Sequence, residues 1–195
     1  MCPDCEKKLS PKKSLIIFSI IALSVWGVES FASGTQDHSK MDHSKMDHSK
    51  MKKGNRKELT EAVRKSVVSV LEANDSLHSA FFKYDAKAVE AKAKALSSAI
   101  DSIEDDEISK LLKFSKSKLL EIKESSDRES NNKNYHLVSM ALIHIVNKYD
   151  VGAKYNAYSC PMVKKKWVQN SAKMAKVHNP YAPNMPHCGS QDTHH

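Results

Sequence analysis

Residues 37–51 read DHSKMDHSKMDHSKM, three copies of one five-residue unit. Each unit brings an imidazole, a thioether and a carboxylate together in a polar stretch. His38 and Met41, His43 and Met46, and His48 and Met51 stand three residues apart, near enough for each pair to hold one ion. A thioether is a soft donor suited to Cu(I), and to Ag(I) by the same softness; imidazole suits Cu(II), Zn(II) or Ni(II), and Asp adds a hard oxygen. A period of five matches neither helix nor strand, because successive units turn by about 140° on a helix and share no face. The repeat therefore encodes no packing surface and reads as a loose collector of copper or silver. The bland alternative is a solvated low-complexity linker. The lysine in each unit repels cations and favours that alternative, but a linker has no use for methionine.

A second constellation lies near the other end. YSCPMVKKKW and VHNPYAPNMPHCG place Cys160 and Met162 at one end of a segment, and Met185, His187 and Cys188 at the other. Two readings stay open. A disulfide would close a loop of about 30 residues and contribute roughly 3–4 kcal/mol in the chain-entropy picture, the usual fate of two cysteines in an exported protein. As thiolates beside Met162 and Met185, the pair would form a sulfur-rich site selective for monovalent copper. His136, Met140 and His144 recur at steps of four and fall opposite the apolar seam of their helix, so they line an outer face.

The elements that must position these residues are helical. Asn55 and Glu58 have the spacing of a capping box. After them Val63, Val67, Val70, Asn74, Leu77 and Phe81 alternate steps of four and three, the rhythm of one helix face turned toward a partner. Asp85 is a good N-cap for a second helix with Val89, Ala93, Leu96, Ile100 and Ile103. EDDE at 104–107 restarts the chain with acidic residues suited to a helix N-terminus, and Ile108, Leu112, Ser115, Leu119 and Ile122 continue it. SSDRESNNKN is a loop, followed by a fourth helix with Tyr135, Val138, Leu142, Ile145 and Tyr149 that ends near Gly152. Four amphipathic helices with short connections predict an all-α fold, an antiparallel four-helix bundle over residues 56–152. Asn74 reads as a polar residue that sets the register of the core. Beyond Gly152 the periodicity fades and four of the six prolines appear, so residues 153–195 read as an irregular tail with at most one short helix near KKKWVQNSAKMAKV.

The N-terminus reads as an address. A basic stretch, an apolar run of 14 residues and small residues Ser30 and Ala32 form a signal peptide over residues 1–32, cleaved near Ala32. The run is shorter than the roughly 18 residues a membrane span needs. The mature chain is then expected in a periplasm, with residues 33–55 as a linker and no span left. Cys2 and Cys5 of CPDC lie upstream of the cut. Cleavage removes four lysines and three acidic residues, so the formal charge falls from +8 to +7. Outside the cytosol that charge reads as a solvated lysine-rich face and not as a nucleic-acid surface. No Ser-His-Asp order, HExxH, phosphate loop or dinucleotide fingerprint is present, and the chain does not read as an enzyme.

CPM at 160–162, Trp167, NPY at 179–181, Met185 and the Cys188-Gly189 pair together resemble the signature of a family of small exported helical domains of unknown function. These occur alone or fused to the C-terminal side of copper/silver efflux adaptor proteins. Tyr135 and Ser139 fit its aromatic-x-x-x-Ser pattern loosely, and the resemblance covers about residues 60–190. It departs where KKK at 164–166 replaces the usual Gly-Ala, and where NPYAPNM carries a proline at a common glycine position. The resemblance implies a heavy-metal-binding role. The combined expectation is a periplasmic, non-enzymatic protein that buffers copper or silver, or delivers it to an efflux adaptor or pump. The alternative is an envelope interaction module, with the repeat as a passive tether and Cys160–Cys188 as a structural disulfide.

Overall fold

A computed structural model describes residues 56–174 and 176–195, all in one compact unit. The expected signal peptide, the His/Met repeat and Asn55 of the expected capping box lie outside the described residues.

Four helices come first: α1 (Glu61–Lys83), α2 (Ala86–Asp101), α3 (Asp106–Leu120) and α4 (Arg128–Lys148). Each begins at a side-chain cap. Thr60, Asp85, Asp105 and Asp127 accept the N–H of Val63, Ala88, Ile108 and Ser130 respectively, satisfying donors that the first turn leaves open. The cap of α1 is therefore Thr60, five residues beyond Asn55. Between α2 and α3, the acidic stretch supplies both the Asp105 cap and first-turn charges Asp106 and Glu107.

The seams face inward. Val67, Val70, Leu77 and Phe81 of α1, Val89, Ala93 and Leu96 of α2, Ile108, Leu112 and Leu119 of α3, and Tyr135, Val138, Leu142 and Ile145 of α4 are all buried. Phe81 stacks on Tyr135 at 4.4 Å between centroids, and the Tyr135 hydroxyl donates to Asn74 Oδ1 at 3.2 Å. Asn74 thus places its side-chain oxygen across the α1–α4 contact. At the base, the Lys57 N–H donates to the Lys148 carbonyl and the Asp150 N–H to the Lys57 carbonyl, which straps the chain before α1 to the end of α4.

The tail corrects the expectation of an all-α protein. Residues 155–191 contain β1 (Tyr155–Cys160), β2 (Lys165–Asn170) and β3 (Ser190–Gln191), an antiparallel sheet in the order β2-β1-β3. The fold is therefore mixed, with helices followed by a sheet. The segment expected as a short helix contains strand β2. The chain reverses through Pro161, Met162, Val163 and Lys164, and Lys164 takes a positive φ of 51° to complete the turn. Tyr158 pairs with Trp167, Ala157 with Val168, and Ser159 with Ser190. These strands hide from periodicity because much of both faces is covered: Asn156, Ala157, Trp167, Val168 and Gln169 are all buried. The polar residues among them are satisfied. Asn156 donates to Ser171, and Gln169 bonds to Lys176 and His178. The sheet packs on α4. Among the described residues no helix is long and apolar enough to cross a membrane.

Candidate soft-metal site

The two cysteines meet at the corner of the sheet. Cys160 ends β1 and Cys188 lies just before β3, and their sulfurs are 2.8 Å apart as free thiols. Cys160 is buried and Cys188 half-exposed. The Pro161–Lys164 turn shapes the surroundings of the first thiol. Burial acts to raise the Cys160 thiol, but hydrogen bonds from Cys188, the backbone N–H groups of Val163 and Met162, and the Asn179 amide outweigh it and hold it below the ordinary value. Cys188 moves the other way, raised first by its bond to Cys160 and then by burial. The donors around Cys160 favour its thiolate, the nucleophilic and metal-binding form of a cysteine.

Asn179 and Tyr181 of NPY hold the second cysteine in place. Buried Asn179 accepts the Tyr181 N–H at 2.9 Å, donates through Nδ2 to the Cys188 carbonyl at 2.9 Å, and gives its own N–H to the Pro186 carbonyl at 2.8 Å. Tyr181 then anchors the loop to α4. Its hydroxyl is 2.9 Å from Ser139 Oγ, and its ring lies 5.7 Å from Tyr135. Tyr135 and Ser139, the aromatic-x-x-x-Ser pair, thus meet the tyrosine of NPY in one buried cluster. Gly189 completes the corner: at φ +135° it has no room for a side chain against Ser159 and Trp167.

The remaining expected donors spread around this corner. The Met162 side chain is 69% exposed at the hairpin tip and Met185 41% exposed on the facing loop, so both stand at the solvent rim. His187 is exposed and turns toward Val177, His178 and Phe82. His38, Met41, His43, Met46, His48 and Met51 lie outside the described residues. Of the outer-face trio, Met140 and His144 are exposed, while His136 is half-buried with Nδ1 3.4 Å from the Lys166 carbonyl. Two histidines escaped the sequence reading. His178 stands nine residues before His187 in VHNPY. His78, buried on α1, is held to about 3 by burial and then by the charge of His178, against a hydrogen bond to the His178 backbone. The only sequence signal for His178 was its recurrence near a second His beside a Cys.

Among the described residues no three His, Cys, Asp or Glu side chains form a group able to hold a metal. A closed tetrahedral zinc site is not built here. What is built is a two-thiol corner, and a pair of thiolates suits a soft monovalent ion. Two sulfurs sharing one ion at about 2.3 Å each can stand roughly 4 Å or more apart, so the thiols must separate to admit it. Cys188, on a half-exposed loop, is the one placed to move.

Fold and site together define a class, a domain of four helices and a small antiparallel sheet that holds a thiol pair at the sheet's corner. No family model matches the chain, and no curated protein and no solved structure matches it. The resemblance to the exported helical family rests on the motif residues alone.

Proposed function

We propose that this protein is an exported, non-enzymatic binder of Cu(I) or Ag(I), which buffers the ion or passes it to an efflux adaptor or pump. The observation that carries the reading is the approach of Cys160 and Cys188 to 2.8 Å, with hydrogen-bond donors aimed at the Cys160 sulfur. Such donors favour the thiolate, and a thiolate pair selects soft ions. Met162 and Met185 add thioethers near the entrance, and the repeat of residues 37–51 would raise the local concentration of metal before it reaches the thiols.

The test is residue-resolved alkylation of the full chain. Ag(I) at one equivalent over the repeat's capacity should protect both Cys160 and Cys188 from iodoacetamide, while Zn(II) should not. Unchanged alkylation with Ag(I) would remove the thiol site. The rival reading, a partner-docking module with a structural disulfide, draws on the same sulfur proximity and on exposed Leu111 and Phe114 of α3. It predicts an isolated protein with no free thiols and no metal protection.

A further inference from the structure

A second donor pair flanks the NPYAPNMP stretch that leads to Cys188. His178, in the loop after β2, and His187 bring their ring centroids to 5.8 Å with planes inclined at 52°. The fold holds both ends of this pair. Buried Gln169 on β2 accepts the His178 N–H at 3.0 Å and donates to the Lys176 carbonyl at 2.8 Å. The Asn179 N–H to Pro186 carbonyl bond closes the loop one residue inside each histidine, which sets the two rings opposite each other. Phe82 of α1 supplies a wall, stacked on His178 at 4.6 Å and tilted to His187 at 6.2 Å.

The hydrogen bond on His187 fixes its tautomer. Its Nδ1 lies 2.7 Å from the Val177 carbonyl oxygen. A carbonyl only accepts, so Nδ1 carries the proton and Nε2 keeps a bare lone pair. Imidazoles that bind metals characteristically donate their other nitrogen to a carbonyl or carboxylate in this way. Buried His78 of α1 lies within reach of His178, whose charge and backbone both act on it.

We propose that His178 and His187 form an imidazole site for Cu(I) or Ag(I), a second station one residue from Cys188. It deepens the soft-metal reading above and rests on it. Two neutral nitrogens suffice for a monovalent d10 ion, which accepts two donors, whereas Zn(II) asks for a third and fourth. His187 adjoins Cys188 in the chain, which ties the imidazole pair to the loop that carries the second thiol.

The test follows individual imidazoles. The full chain is labelled with 15N-histidine and titrated with Ag(I), which is diamagnetic, and ring nitrogens are read by long-range proton–nitrogen correlation. His178 and His187 should shift together along one saturation curve, apart from the repeat histidines. His187→Gln should weaken the response at His178 by at least about tenfold, His178→Gln should do the same to His187, and His136→Gln should change neither. Circular dichroism melts identify any variant that loses the fold, and its reciprocal partner then decides. His178 and His187 signals that stay fixed while the repeat titrates would overturn the site, as would a His178 curve unchanged in folded His187→Gln. The alkylation experiment reads the thiols separately, so failure at the imidazoles leaves the thiol result standing or falling by itself.

Discussion

Gly189 and Ser159 approach so closely that a β-carbon on Gly189 would sit 2.6 Å from the Ser159 carbonyl oxygen, and 2.9 Å from the Trp167 ring. Backbone and a fully buried indole cannot both give way. Gly189→Ala should therefore cost about 1–3 kcal/mol from overpacking, with added strain from its positive φ. Because Gly189 follows Cys188, the same push should part the thiols. Thermal melts should show a lower Tm, and diamide should close the Cys160–Cys188 bridge more slowly. An unchanged Tm would mean that the corner has slack.

Asp75 on α1 lines an open pocket with Glu72, Tyr155, Asn170 and Lys173. Burial, opposed by the Asn170 amide and Lys173, raises its carboxyl to about 6. The folded state then holds the proton more tightly than the unfolded chain. Stability from this group is present at low pH and lost as pH rises from near 4 through about 6. Asp75→Asn removes the cost of the ionised form while keeping an acceptor for Asn170. The variant should be more stable by on the order of 2 kcal/mol at pH 7 and nearly equal to the parent at pH 4. Urea unfolding at several pH values checks this; a difference independent of pH would contradict it.

Ser139 and Tyr181 tie the loop that carries Cys188 to α4 through a buried bond of 2.9 Å. Tyr181→Phe removes this bond and leaves the Ser139 hydroxyl only its hydrogen bond with Tyr135, at a cost of about 1 kcal/mol. Ser139→Ala should cost less in the Tyr181→Phe background than it does alone. A double-mutant cycle by chemical denaturation reads the coupling. Strictly additive losses would mean that the two side chains do not depend on each other.

The helices were legible because each buries one face, so Val89, Ala93 and Leu96, or Val138, Leu142 and Ile145, print their rhythm directly on the chain. The sheet was not legible. Asn156 and Gln169 are polar yet buried, their cost met by Ser171, Lys176 and the His178 backbone, which sequence alone does not place. Three adjacent lysines, 164–166, masked the start of β2 by resembling a solvated helix face. The cysteines stood out by residue type, and their meeting came from the pairing of β1 with β2 and β3. His78 and His178 carried no such mark: a lone buried His on α1 and a loop His acquire meaning only when α1 and the loop after β2 are packed together.

The most direct measurement is Cu(I) affinity at the thiol pair in its two redox forms. The six expected donors of the repeat, His38, Met41, His43, Met46, His48 and Met51, are replaced by serine, so that any remaining binding belongs to the described domain. Competition against a Cu(I) chelator is run on the reduced protein and on the protein after diamide has joined Cys160 to Cys188. If the thiols are the metal site, the reduced form should bind one Cu(I) at least about 100-fold more tightly than the bridged form, a difference of about 2.8 kcal/mol. Met162→Leu should weaken the reduced form only. Equal affinities in the two forms would contradict the thiol site and leave Cys160 and Cys188 as a purely structural bridge.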